Sequence, residues 1–415
     1  MVIIQRRVII AEQLWWAVSP HITVPNAELY RVHRIFRRAD NSAMTAPLSE
    51  DDIYRTSSQY RLWFFSPENL AAQRAKTREL AIERARHNAT QSTAACEYLT
   101  AEEELRLVQR YCEQIRTTSD HFKWPITLKA TAVQYLKRFY TSNSCITYPP
   151  KEIYKTVLFL ACKAEGTHMT LSEYARRIST EKESILAPEY KVMQALRFTL
   201  EVKHAYRGLK GVLMELLNMA AGTNGEGYKS KMMELALPPK DNRTPWRSAS
   251  SGSLDQQLLN DRIQAAYAAA RTCLDAPALL TDVYFLYTPS QILFAALHVA
   301  DEPLVAFYLD TKLPATSELR PKILSAIHAC AAIMAAFSNG TVMSKDERAL
   351  LEEKLELCRD STTRDLVKKH ANAKVGNVDD EEERAKRRKM EREKHMKEGD
   401  DLFGATLSSS NGLKG

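Results

Sequence analysis

The chain has 415 residues, of which 45% are hydrophobic and 26% charged, enough apolar material for two or three domains with cores of their own. Only 13 glycines occur, and Ala, Leu, Glu, Lys and Arg recur throughout; these residues lose little rotamer freedom in a helix, so an all-α protein is expected. The net charge of +7 is modest, and its basic excess lies in short clusters near the ends (Arg34, Arg37, Arg38 and Lys386 to Lys389), which argues against the concentrated basic stripe of a dedicated nucleic-acid binder.

In chain order, Val8 to Val18 is an apolar stretch interrupted by Glu12 and Gln13 with no small-residue cleavage site after it, so it reads as an appendage. Met44 stands just before patterned sequence begins, and residues 1–48 are expected to be a disordered or non-native extension. Ser66-Pro67-Glu68 then supplies an N-cap followed by proline at the first helical position, and Asn69 to His87 contains no helix breaker. Thr100-Ala101-Glu102-Glu103 is a capping box, after which Leu105, Val108, Cys112 and Ile115 recur at helical spacing. A second bundle helix is expected from a Thr127 cap, carrying Leu128, Ala132, Leu136 and Phe139, up to the polar Ser142-Asn143-Ser144 turn.

Tyr148-Pro149-Pro150 opens a third helix, Ile153 to Ala164, that is apolar on nearly every face and is therefore expected at the buried centre of the bundle. Thr170-Leu171-Ser172-Glu173 caps a short fourth helix, and Pro188 stands near the start of a fifth that carries Tyr190, Val192, Met193 and Leu196. The same pattern returns at a constant offset: Tyr287-Thr288-Pro289-Ser290-Gln291-Ile292 matches Tyr148 to Ile153, with Leu297 against Leu158 and Ala300 against Ala161. Around this anchor a second set of helices is expected over Ala205 to Ala220, Gln257 to Leu280, from Pro289, near Pro303, and over Glu318 to Phe337. The Gly-, Pro- and Ser-rich stretch 222–253 reads as a mobile insertion. Ser344-Lys345-Asp346-Glu347 begins a final helix with Leu350, Leu351, Leu355 and Leu357, and the mixed charges of Asp379 to Lys397 read as a solvated helix or disordered tail.

The seven cysteines, at 96, 112, 145, 162, 273, 330 and 358, form no C-x-x-C pair and do not alternate with histidine at ligand spacing. They read as buried thiols of a reducing compartment, not as a disulfide framework or a zinc site. No apolar run reaches the ~18 residues of a membrane-crossing helix. An enzyme reading finds no support: Gly222, Gly225 and Gly227 do not follow a strand, and no G-x-S-x-G, H-E-x-x-H or paired-carboxylate constellation stands out.

Two consecutive five-helix bundles related by a repeat resemble the cyclins. The segments Asp51 to Trp63, Lys129 to Tyr140, Phe159 to Lys163, Leu286 to Ile292 and Lys354 to Cys358 closely resemble the cyclin H branch of that family, in the same order over Ser49 to Arg359. The resemblance implies an all-α fold of two tandem five-helix cyclin boxes with an additional N-terminal and C-terminal helix. Its expected divisions are 49–95 for the N-terminal segment and helix, 96–201 for the first box, 202–340 for the second, 341–372 for the C-terminal helix and 373–415 for a charged tail. It implies a non-catalytic regulatory subunit, without cofactor or metal, that activates the cyclin-dependent kinase of the CDK-activating kinase. An assembly factor as third subunit, the TFIIH core and nuclear residence are implied with it, and neither direct nucleic-acid binding nor a membrane. The rivals are another transcription cyclin and a TFIIB-like double-cyclin-fold factor; against the latter, no ribbon cysteines precede the bundles and Pro289 to Ala300 contains no Lys or Arg.

The resemblance also implies the residues that meet the kinase: Lys163 of the third helix, Glu189 early in the fifth, and Glu165, Met193, Phe198 and Leu200. Read from the residues alone, without the resemblance, Lys163 is more readily a helix-end lysine keeping its ammonium in water, and Glu189 an N-terminal dipole partner. Met193, Phe198 and Leu200 are ambiguous on the same footing, since an apolar residue at helical spacing is more often core than interface. Many cyclins carry two acidic residues in the stretch just after the lysine, whereas this chain has Glu165 then Gly166, which puts one contact in doubt. Lys386-Arg387-Arg388-Lys389 reads either as a nuclear-import signal or as a solvated charge run.

Overall fold

The computed structural model describes residues 50–88, 97–223, 226–236, 252–337, 343–364, 366–368 and 370. The expectations for residues 1–48 and 373–415, for Cys96 and for the basic clusters at 34–38 and 386–389 lie outside these. Every regular element among the described residues is a helix. The chain up to Ile53 is a separate unit, and residues from Tyr54 onward form another.

In chain order the helices are α1 (Glu50–Thr56), α2 (Ser58–Trp63) and α3 (Pro67–His87), then α4 (Ala101–His121), α5 (Ile126–Ser142), α6 (Pro150–Ala164), α7 (Leu171–Arg177), α8 (Lys182–Leu186) and α9 (Glu189–Ala195). A second series follows as α10 (Tyr206–Ala221), α11 (Glu226–Ala236), α12 (Gly252–Asp275), α13 (Pro277–Leu280), α14 (Val283–Leu286), α15 (Pro289–Ala300), α16 (Glu302–Lys312) and α17 (Arg320–Ala336), then α18 (Lys345–Cys358) and a short 3-10 turn at Ser361–Thr363. The reciprocal capping box at Thr100 and Glu103 forms as expected, whereas Thr170 and Ser344 each make only the half in which the cap hydroxyl accepts from the backbone. A full box also forms at Thr288 and Gln291, just where the repeat places proline at the first helical position.

Three expectations are corrected. Thr127 is not a cap: α5 starts at Ile126 with Pro125 in the cap position. The stretch 222–253 is not wholly an irregular insertion, because Glu226–Ala236 is α11, which packs on α10 and α12 and buries Met232 completely. Most deeply buried in the first bundle is α5, whose residues Leu128 to Thr141 are all buried, although α6 also buries Ile153 and Thr156 to Cys162.

That last difference has a physical cause. Lys129, Lys137 and Arg138 make α5 read as half solvated, yet each buried cation has partners on other elements. Lys129 pairs with Asp275 at 2.6 Å and Asp120 at 2.7 Å. Arg138 donates to the Gln59 side chain at 3.2 Å, and Lys137 donates to the carbonyl of Thr281. Buried polar groups are tolerated where such bonds replace water.

The two bundles share one hydrophobic core. In the first, α4, α5 and α6 pack on one another, with α9 against α5 and α6; in the second, α15 lies between α12 and α17. α13 and α14 connect the halves, with α13 resting on α4 and α5. Although α18 follows the second bundle in sequence, it packs on α4 of the first through Leu351, Leu355 and Cys358.

Candidate functional site

The site expected from the sequence lies where α6 ends and α9 begins. Lys163 is in the last turn of α6 and Glu189 in the first turn of α9, so each charge faces the helix end whose dipole favours it. The Lys163 ammonium and the Glu189 carboxylate form an ion pair, with side chains 44% and 23% exposed. The same ammonium stands 4.8 Å from the ring centroid of Phe159, one turn back on α6. A lysine free in solvent would sample many rotamers. This one is held between a carboxylate and an aromatic face, at the rim of a buried helix.

Glu165, just past the end of α6, is exposed at the surface but accepts a hydrogen bond from the buried hydroxyl of Thr131 on α5 at 2.6 Å. Gly166 follows with φ +68°, in the left-handed region where glycine is favoured. The left-handed turn out of α6 thus accounts for glycine at this position.

At the other end of α9 the backbone makes an unusual turn. Arg197 and Phe198 both have positive φ, +53° and +54°, although neither is glycine. Such residues cost about 1–2 kcal/mol each. The turn is closed by the Phe198 N–H donating to the Met193 carbonyl at 3.0 Å and the Arg197 N–H donating to that of Gln194 at 2.9 Å. Trp63 of α2 pins it from outside: its ring lies 5.2 Å from the guanidinium carbons of both Arg197 and Arg138, and its Nε1–H donates to Thr199 Oγ1 at 3.1 Å. The consequence is that the Phe198 side chain is turned outward and left 60% exposed.

Of the six candidates, the structure therefore joins Lys163 and Glu189 directly, with Glu165 at the same helix end, and sets Phe198 on the surface. Met193 and Leu200 are half-buried and pack against the core, so each also does structural work; the Leu200 carbonyl accepts from the Tyr135 hydroxyl. Tyr190, beside Glu189, is 64% exposed, although the sequence pattern groups it only with the apolar set of its helix. Its phase was readable: Val192 and Leu196, one turn apart, define the inward face of this segment, and Tyr190 falls well off it. Trp63 carries no local signal of its role, because its partners come from distant segments, whereas Phe159 stands one turn before Lys163 on the same helix, a spacing the sequence shows.

The site belongs to the first bundle alone. At the offset of the internal repeat, Lys163 corresponds to Glu302, so the second bundle lacks the cation. Among the described residues, no group of three or more His, Cys, Asp and Glu side chains is placed to hold a metal ion, and no helix is long and apolar enough to cross a membrane.

Comparison with known proteins places both bundles. Residues 81–201 match the family described as "Cyclin, N-terminal domain", and residues 204–335 the family described as "Cyclin C-terminal domain". Cyclin CCL1 of Saccharomyces cerevisiae is 32% identical over 281 residues, which are 64% of this chain and 63% of that protein, so the chain spans under two thirds of the length of this relative. Cyclin-H1-1 of Arabidopsis thaliana is 26% identical over 60% of this chain and 70% of its own length. A chain of the solved CAK complex of Chaetomium thermophilum bound to ATP-γ-S is similar at a TM-score of 0.62 and 32% identity, over 88% of this chain and 100% of that one.

Proposed function

This chain belongs to the cyclin family, and on that premise we propose that it is a cyclin H-like regulatory subunit that binds and activates the cyclin-dependent kinase of a CDK-activating kinase. The reading extends to a third, assembly subunit, to the TFIIH core and to nuclear residence. In it, the partner kinase phosphorylates the activation loops of cell-cycle kinases and the C-terminal domain of RNA polymerase II, and this chain contributes no catalytic group.

The observation that carries the reading is the Lys163–Glu189 pair at the α6–α9 junction, with exposed Phe198 and Tyr190 on the same segment. A kinase of this class is active when its β3 lysine and the glutamate of its C-helix pair, and when its DFG aspartate holds magnesium. A stiff surface that docks on the C-helix only in its inward position binds the active state better, and so shifts the population toward it. Apolar side chains supply the contact area, and the opposite charges of Lys163 and Glu189 set the register of the partner helix.

Mass analysis of what accompanies the chain from its native cell is expected to find a cyclin-dependent kinase and an assembly factor; duplex DNA without a kinase would support the TFIIB-like rival. With purified kinase, Lys163→Glu and Glu189→Lys are each expected to weaken activation about 10- to 100-fold. The pair is partly exposed, so its loss costs less than the ~3–5 kcal/mol of a fully buried one. The double swap re-forms the internal pair with reversed charges. It is expected to stay inactive with full helical content, because the partner reads those charges; full activation by all three variants removes both residues from the site.

A further inference from the structure

Glu165 is anchored through a buried chain of hydrogen bonds that reaches the start of the second bundle. Its Oε1 accepts from Thr131 Oγ1 at 2.6 Å, and that hydroxyl oxygen lies 2.9 Å from Nε2 of His204, which directly precedes the α10 segment. Thr131 and His204 are both buried. A threonine hydroxyl carries one proton, and a carboxylate can only accept. The Thr131 proton therefore goes to Glu165, and the proton in the second contact belongs to His204 Nε2.

The other ring nitrogen, Nδ1, is the unprotonated acceptor of that tautomer and is buried without a hydrogen-bond partner. Burial, reinforced by the charges of Arg207 and Arg138, pulls the pKa of His204 down to about 3, so the ring is neutral at physiological pH. Tyr206 and Tyr284 flank it with ring centroids at 6.1 and 6.2 Å, which fixes its plane from the second half of the molecule. The chain runs one way only: His204 Nε2–H to Thr131, and Thr131 O–H to Glu165.

We propose that Thr131 and His204 are positioning residues for partner binding, which fix one oxygen of the Glu165 carboxylate so that the other meets a cationic or N–H donor on the partner kinase. The proposal rests on the reading of the α6–α9 junction as the kinase-binding site. Without the relay, Glu165 sits at an exposed helix end and samples several rotamers, so ordering it falls on the binding step. The relay also makes the presentation of Glu165 depend on the seating of the second bundle, which holds His204.

The test titrates kinase activation by the full chain and separates half-saturating concentration from plateau activity. Thr131→Val is expected to raise the half-saturating concentration ~fivefold, about what one typical intramolecular hydrogen bond is worth, with the plateau unchanged. Thr131→Ser keeps the hydroxyl and is expected to restore it. His204→Phe is expected to act in the same direction as Thr131→Val.

The deciding measurement is a double-mutant cycle. Once Glu165→Ala has removed the carboxylate, Thr131→Val is expected to add nothing, whereas a purely structural role gives additive effects. Additivity overturns the proposal, and so does a Thr131→Val variant that binds like wild type while Glu165→Ala binds weakly. A Glu165→Ala variant that binds like wild type overturns it too and leaves the proposed function standing, provided the Lys163 and Glu189 variants fail. Failure of the wild-type chain to activate any cyclin-dependent kinase overturns the broader reading itself.

Discussion

Asp282 shows what single residues contribute to joining the two bundles. Its carboxylate accepts both Arg74 guanidinium nitrogens, at 2.7 and 2.8 Å, and lies 3.6 Å from the Lys137 ammonium. Burial alone raises its pKa, but the Arg74 hydrogen bonds and the Lys137 charge outweigh that and bring it to about 2. A carboxylate whose pKa is lowered on folding stabilises the fold above its unfolded value of ~4, and that contribution is lost as pH falls from about 4 toward 2. Asp282→Asn is therefore expected to lower stability at pH 7 by about 1–2 kcal/mol, a discounted figure because the side chain stays 35% exposed. The gap between variant and wild type in urea midpoint is expected to close between pH 4 and pH 2; a gap independent of pH would show that the charge is not the cause.

At the scale of the element, α10 offers a paired test of helix propensity against packing. A Cβ on Gly208 would meet Leu293 Cδ2 of α15 at 2.6 Å, and Leu293 is itself buried, so glycine there lets two helices approach closely. Gly211, nearly one turn further on, is exposed, and a Cβ added there would have nothing within 4 Å. Gly208→Val is expected to destabilise by about 1–3 kcal/mol through overpacking. Gly211→Ala is expected to stabilise by about 0.5–1 kcal/mol, because alanine has less backbone freedom to lose. Thermal denaturation of the two variants checks both signs, and equal shifts would remove the packing argument.

The helix starts were the most legible part of the fold, since caps and N-terminal prolines act through local geometry. Ser66, Thr100, Thr170 and Ser344 all cap where expected. The error at Thr127 has the same local logic in reverse: Pro125 and Ile126 start α5 without any side-chain cap, so no signal marks the true boundary. The stretch 222–253 was misread because its overall Gly, Pro and Ser content masks an eleven-residue helix, Glu226–Ala236, although Tyr228, Met232 and Leu235 recur there at helical spacing and Met232 is fully buried.

For the whole molecule, charge pairing across the junction and the return of the C-terminal helix decide how the bundles are held. Carboxylates of the second half, Asp275 and Asp282, receive cations of the first: Arg116 and Lys129 on one, Arg74 and Lys137 on the other. Then α18 crosses back onto the first bundle. Arg106 pairs with Glu347 at 2.6 Å, the Tyr111 hydroxyl donates to Glu352 at 2.6 Å, and buried Arg359 grips Glu152 through two bonds at 2.6 and 2.8 Å. Ending the chain after Phe337 is expected to lower the melting temperature by several degrees, since it removes buried Leu351 and Leu355, and burying such an apolar side chain is worth about 1.5–3 kcal/mol. Hydrogen exchange is expected to show lost protection in α4 with α15 unchanged; uniform loss across both would mean that α18 stabilises the molecule as a whole.

The sequence by itself determined the helical class and the duplicated architecture, because periodicity, caps and a repeated Tyr-x-Pro signature are short-range facts written along the chain. Through the family resemblance those segments carry, it also paired Lys163 with Glu189. Only the tertiary structure decided that α5 and its cations are buried, that Trp63 pins the Arg197–Phe198 turn, that Glu165 is tied through Thr131 to His204, and that α18 docks on the first bundle. Each of these depends on partners far apart in sequence. A polar or charged side chain is buried or exposed according to whether such a partner arrives to replace water, and no local pattern records that arrival.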